Sequence, residues 1–274
     1  MAKKPPAADP AAPQLPQQLT SWDSVASPLE DDAQWWQLEI VGDVGAVEAA
    51  RFDAEQCRIA RADMSAGVWA KAGVVNCVFE DVNLANVFAQ DCRMRRTSVT
   101  SVRGTGLQWT NGVVKDVVFR DCRLDLAGFR FSRFSHVVFD NCRLSGADFT
   151  AADLSGVRFE SCDLSSAKFD EATMTGAVLR HCTLTGMRGV DGLRGASVTS
   201  TDLMSLTFTL ADACGITVTQ DQAGASRMPE LGGFPDDRAP VLLASWRGNR
   251  AFQAPVVGEG GASWRSWSGR KMAA

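Results

Sequence analysis

Val117–His136 reads VVFRDCRLDLAGFRFSRFSH, Val137–Gly156 reads VVFDNCRLSGADFTAADLSG, and Val157–Gly176 reads VRFESCDLSSAKFDEATMTG. Ala177 then opens the next stretch with AVLRHCTL. The four stretches align at intervals of twenty residues, and a period of five runs inside each. Outward from here the period holds from Ile59 to Leu184: every fifth residue is apolar, with Gly104 the one break across 26 positions. Neither a helix nor a flat strand makes such a pattern, because their periods are 3.6 and 2. A fixed self-similar period is the mark of a solenoid.

The position two residues before each large one is as regular, but small. It holds Cys122, Ala127, Ser132, Val137, Cys142, Ala147, Ala152, Val157 and Cys162, with Leu107 the one large exception. Side chains i and i+2 of an extended segment share a face, so each five-residue unit supplies one large and one small inward group. The other three residues are mostly polar and turn the chain. Four units close a square, which makes a coil of twenty residues.

The segment Gly146–Gly156, GADFTAADLSG, carries Ala147-Asp148-Phe149 and Ala152-Asp153-Leu154. It resembles the pentapeptide-repeat family, whose motif is A-[D/N]-[L/F]-x-x, and the resemblance extends over about Phe52 to Val218. It implies an all-β fold, a right-handed quadrilateral β-helix. About eight coils fit in that length, a shaft of roughly 40 Å at the strand spacing. Residues 1–20, rich in Pro, Ala and Gln, are expected as a disordered tail. Residues 21–51 are expected as an N-terminal cap. Ser27-Pro28-Leu29-Glu30 reads as a capping box, predicting a short helix that carries Trp35 and Trp36. Residues 52–219 form the β-helix, and 220–274 abandon the repeat as a C-terminal cap or oligomerisation segment. Within 95–112 the repeat weakens, around Arg95, Arg96, Gly104, Gly106 and Leu107, and a projecting loop or bulge is expected there. After Leu184 the phase slips by one and resumes at Leu193, Val198, Leu203 and Phe208.

Seven of the eight cysteines (57, 77, 92, 122, 142, 162, 182) occupy the small inward position. They read as reduced, buried small hydrophobes rather than as disulfides or a zinc site. No apolar run reaches the length of a membrane span. The start, MAKKPPAADP, has no apolar stretch after its lysines, so no secretory signal is read there and the protein is expected in the cytoplasm.

No catalytic constellation emerges, and no cofactor or metal is implied. His136 and His181 sit at outward turn positions on different sides of the square, and the serines have no positioned base. A coil packed solid with Phe and Leu leaves function to the outer faces and ends, which means binding to another protein rather than to nucleic acid or membrane. The family's best-known branch, the plasmid quinolone-resistance proteins and their mycobacterial counterpart, resembles duplex DNA and implies DNA gyrase as a partner. Such mimicry needs a dense stripe of one charge, since B-DNA carries one per about 1.7 Å. Residues 52–219 carry 18 basic and 19 acidic side chains, and the whole chain has net charge −4. A local acidic patch is read from Asp140, Asp148, Asp153, Glu160, Asp163, Asp170 and Glu171. Two function classes follow. One is a protein–protein interaction scaffold, with a homodimer through a terminal cap as a further contact. The other is a DNA mimic that binds gyrase or another topoisomerase and gives inhibitor resistance or self-protection.

Overall fold

A corner made by one left-handed residue in every five builds the shaft. The computed structural model describes residues 9–24 and 28–219. Backbone φ lies near +50 to +58° at Arg51, Gln56, Arg61, Ala66 and Lys71, and the series continues every five residues to His181. Asn, Asp and Gly occupy many of these corners because they tolerate the left-handed region best. Between corners the chain is extended, and successive coils pair in parallel at an offset of twenty: Met94 with Val114, Val99 with Phe119, Phe119 with Phe139 and Phe139 with Phe159. The result is a β-helix of about nine coils. Its four sides are named here by their core columns: face I by Phe119, Phe139 and Phe159, face II by Leu124, Leu144 and Leu164, face III by Phe129, Phe149 and Phe169, and face IV by Val114, Phe134 and Leu154.

The large inward residues stack coil on coil. Phe119, Phe139 and Phe159 lie ring over ring at 4.8 and 5.1 Å, and Phe129, Phe149 and Phe169 at 5.1 Å each. Edge contacts of 6.1–6.4 Å join the two stacks. All of these rings except Phe119 are essentially sealed from solvent. A cavity of only about 30 Å³ remains among Trp69, Met94, Trp109 and Phe129, room for roughly one water.

The cysteines do more than fill small positions. At a corner with no closing i→i+3 hydrogen bond, the inward N–H of the small residue needs an acceptor. Cys92 Sγ accepts from Ala72 N one coil below at 3.4 Å, and lies 3.8 Å from Trp69 O and 3.3 Å from Gln90 O. Ser132 serves the same role with a hydroxyl: Oγ accepts from Gly112 N at 3.0 Å and donates to Trp109 O at 2.9 Å. Where the corner is closed by its own bond, as in Ala147 N to Leu144 O at 3.0 Å, alanine suffices. Cys122, Cys142, Cys162 and Cys182 make one ladder, Cys57 and Cys77 another, and Cys92 lies on a third column, so the break in their spacing is a change of face rather than of phase. All eight cysteines are free, and only Cys214 is exposed. The neighbouring thiol of the ladder, together with burial, pushes Cys142 and Cys162 up to about 12. Iodoacetamide at pH 8 should therefore add one group per native chain, at Cys214, and eight after unfolding in denaturant. Intact mass spectrometry reads both numbers, and labelling at three or more native sites would contradict the ladder.

Several expectations are corrected. No loop projects from 95–112: Arg93–Thr100 and Gln108–Thr110 are strands in register with the coils on both sides. Gly104 and Leu107 exchange sizes instead of breaking the repeat. A Cβ at Gly104 would lie 2.8 Å from Leu124 Cδ2 and 3.6 Å from Leu107 Cβ. Leu107, at the small position, is buried and fills what the glycine leaves. Trp109 and Gly112 trade volume in the same way, since a Cβ at Gly112 would fall 2.1 Å from the indole Nε1.

No helix carries Trp35 and Trp36. Gln34–Trp36 is a strand paired with Asp53–Glu55, with Trp35 buried against Phe52 and Trp36 exposed. The coil thus begins near Thr20, well before Phe52, and its first two turns are short by two residues and by one: Thr20 pairs with Leu38 and Glu39 with Arg58, with an irregularity before Gly42. The tail expectation also fails for Asp9–Thr20, which lie against the shaft. Thr20 N donates to Gln37 O at 2.9 Å, Gln56 Nε2 donates to Gln14 O at 3.5 Å, and Asp9 pairs with Arg158 at 2.6 Å.

At the other end the one-residue slip is present, with Leu179 paired to Val198. Leu203 and Phe208 then leave the repeat, exposed on two short helices, α1 (Ser200–Ser205) and α2 (Thr207–Ala213), whose Leu206 packs on the last coil. Asp202 stands twenty residues after Cys182 and its Oδ2 accepts from Cys182 N at 3.1 Å. The carboxylate ends the ladder by supplying the acceptor that another coil would have supplied. The C-terminal cap expected over 220–274 lies outside the described residues.

Candidate functional site

Every inward position is spent on packing, so the outer residues are what remain for recognition. The structure spreads the seven acidic candidates over all four faces. Asp140 and Glu160 stack on face I, in the column Arg120–Asp140–Glu160–Arg180. Asp140 pairs with Arg120 Nε at 3.0 Å, and Glu160 lies 3.8 Å from Arg158 Nε. Asp163 is on face II between Arg143 and Thr183, and Asp153 on face IV between Arg133 and Thr173. Asp148, Asp170 and Glu171 share face III, with Lys168 stacked on Asp148. Three of the carboxylates also hold their own turns: Asp148, Asp153 and Asp163 accept from the N–H of Thr150, Ser155 and Ser165 at 2.9–3.0 Å. Charges of opposite sign one coil apart stabilise stacked strands. His136 Nδ1 lies 3.1 Å from Asp116 Oδ1, again one coil apart.

A different group of residues stands out on face III. Leu126 and Phe131 occupy the two left-handed corners that flank it, each with φ of +58°. They are 65% and 55% exposed. For a bulky side chain this conformation costs about 1–2 kcal/mol, and neither residue recovers that by burial. Arg130 places its guanidinium 5.5 Å from the Phe131 ring centroid. Further along the same face Val68 and Phe88 stack in register and are also exposed. Face III thus carries two exposed apolar spots, Val68 with Phe88 and Leu126 with Phe131, separated by the coil of Gln108 and Thr110 and followed by Asp148, Lys168 and Asp170. The sequence signal of Leu126 and Phe131 was a large apolar residue at a corner that polar residues, Gly or Ala hold elsewhere among the described residues.

Among the described residues there is no group of three or more His, Cys, Asp or Glu side chains placed to hold a metal ion. Nor, among those residues, is any helix long and apolar enough to cross a membrane.

Residues 115–188 match the model of a pentapeptide repeat region. No curated protein matches the chain. Among solved structures, trypsin-treated QnrB1, a plasmid-mediated fluoroquinolone resistance protein, is 17% identical, covering 69% of this chain and all of its own, with a TM-score of 0.34. HetL, a pentapeptide repeat protein involved in heterocyst differentiation regulation from the cyanobacterium Nostoc, is 14% identical over 60% of this chain and 93% of its own, also at 0.34. Rfr23 from the cyanobacterium Cyanothece is 9% identical over 56% and 89%, at 0.20. These likenesses say nothing of partner or activity. Residues 115–188 thus form a pentapeptide repeat region, and the same twenty-residue register runs on from it toward the N-terminus, pairing Met94 with Val114 and Val74 with Met94.

Proposed function

We propose that the chain is a non-enzymatic protein–protein interaction scaffold whose contact surface is face III with its exposed apolar side chains. The observation that carries this reading is the pair Leu126 and Phe131: exposed, bulky and held at left-handed corners where stability favours Asn or Gly. Exposed apolar surface rimmed by charge is the signature of a docking site. A partner with an apolar contact patch and mixed charge at its edge fits it.

The combined variant Leu126→Asn, Phe131→Gly removes the side chains and relieves both corners. It should hold or raise the denaturation midpoint, with about 1 kcal/mol available per corner. A photoreactive residue at position 88 in living cells should give a discrete crosslinked product that this variant loses. A control at Arg143 on face II should give none. Equal products from both faces, or a variant that melts early, would refute the reading.

The DNA-mimic reading asks for columns of a single sign. Face I mixes both signs in Arg120, Asp140, Glu160 and Arg180 instead, which favours the scaffold. A gyrase supercoiling assay separates the two. The scaffold reading expects no change at micromolar protein; inhibition or protection that Asp148→Lys with Asp153→Lys abolishes would replace it with the mimic.

A further inference from the structure

Proline recurs every third residue in Asp9-Pro10-Ala11-Ala12-Pro13-Gln14-Leu15-Pro16-Gln17-Gln18-Leu19. Three is the period of a polyproline II helix, in which one position in three faces the same way. Burial follows that period: Pro10, Pro13, Pro16 and Leu19 are half-buried, while Ala11, Ala12, Gln14, Gln17 and Gln18 are exposed. Leu15 is half-buried as well.

The strap has two anchors on one row of face I. That row is Glu39, Arg58, Val78, Ser98, Val118, Val138 and Arg158, all in register. Thr20 pairs beside Leu38 at the bottom, and Asp9 meets Arg158 Nη2 at 2.6 Å at the top. Seven coil steps of about 4.8 Å, from the strand of Thr20 to that of Arg158, make about 34 Å. Eleven residues at about 3.1 Å reach about 34 Å. The row under the strap is unusually apolar for an outer row, with Val78, Val118 and Val138; the matching row of face II reads Asp63, Asn83, Arg103, Arg123, Arg143 and Asp163. Val138 points outward yet is only 7% exposed, and Arg158 is held at 19%.

We infer that face I is a docking surface for proline-rich segments, which the chain's own strap occupies in cis. Its ligand in trans is a segment of a partner protein in polyproline II form, with an acidic residue at its N-terminal end for Arg158 and prolines at every third position for the valine row. The preformed helix loses little conformational entropy on docking, and the row of valines and the arginine supply contact and direction. A tether this short holds the strap at a local concentration of order millimolar, so an outside segment competes only when it binds tightly or when the strap is released.

The test uses the full chain and a fluorescent peptide of residues 9–20, read by anisotropy. In one variant the strap is weakened by Asp9→Ala with Pro10→Ser, Pro13→Ser and Pro16→Ser, all outside the coil. This variant should bind the peptide at least tenfold more tightly than the unaltered chain. Adding Arg158→Glu should weaken binding at least tenfold, and a peptide carrying Asp9→Lys should restore it. Equal binding by unaltered and strap-weakened chains, no binding by the latter, or failure of the charge exchange would overturn the inference. Light scattering that finds the unaltered chain dimeric by strap exchange would assign the face to a second copy and overturn the commitment to another partner.

Discussion

Phe149→Ala should lower the stability of the shaft by about 3–5 kcal/mol, read as a fall in the urea midpoint by circular dichroism. Phe149 is fully buried at the centre of the core. It stacks on Phe129 and Phe169 at 5.1 Å each and meets Phe134, Phe139 and Phe159 edge-on at 6.1–6.4 Å. Truncation leaves a hole the size of a ring, and the coils above and below cannot close it because their spacing is set by the backbone ladder. Each lost aromatic pair adds to the deficit. Phe131→Ala, one turn away on the outside, should change the midpoint by no more than about 0.5 kcal/mol. A small effect at Phe149 would mean that the core is not the close-packed column described above. Because stability in a solenoid sums over neighbouring repeats, the loss should appear as early melting of the coils around 129–169.

The second large effect is a compensation. Leu107→Ala should cost about 2–5 kcal/mol, because the glycine at 104 offers nothing to fill the space. Gly104→Leu alone should cost about 1–3 kcal/mol, since the new side chain meets Leu107 and Leu124. The two together restore the large–small order of every other coil, and should leave the chain within about 1 kcal/mol of its original stability. The double-mutant cycle therefore predicts a coupling of at least about 2 kcal/mol, within the range for residues that share a cavity. Simple additivity would show that the two do not trade volume. Single effects below about 0.5 kcal/mol would revive the projecting loop.

The coil was legible because its signal is local and repeated. Five-residue periodicity fixes which side chains turn inward, and Phe139, Phe159 and Cys142 are indeed sealed. The stacking of Arg120 on Asp140, and of Arg143 on Asp163, follows from counting twenty. The two ends were misread because their signals are weak or ambiguous. Ser27-Pro28-Leu29-Glu30 has the composition of a helix start, yet the open edge of the next coil offers Gln34–Trp36 a ladder of hydrogen bonds. A Pro/Ala/Gln stretch has no core of its own, but it docks when a row of valines lies alongside.

The site was less legible than the fold. Seven acidic residues close together in sequence looked like a patch, but a coil of twenty distributes neighbours around four sides. Leu126 and Phe131 were visible as apolar residues out of phase; what marks them is the φ of +58° that each holds while exposed.

The order of residues alone settled the solenoid, its square section and its solid interior, since each five-residue unit repeats the same large–small choice. Only the folded chain decided that Gly104 and Leu107 complement each other, that cysteine thiols serve the inward N–H groups, and that the strap lies on face I. Those facts rest on pairs of residues that meet through the coil: Leu124 over Gly104, Cys92 over Ala72, and Asp9 against Arg158, 149 positions away. Contacts at such separations leave no period in the sequence, because they exist only once the stacking of coils has set which side chains stand next to one another.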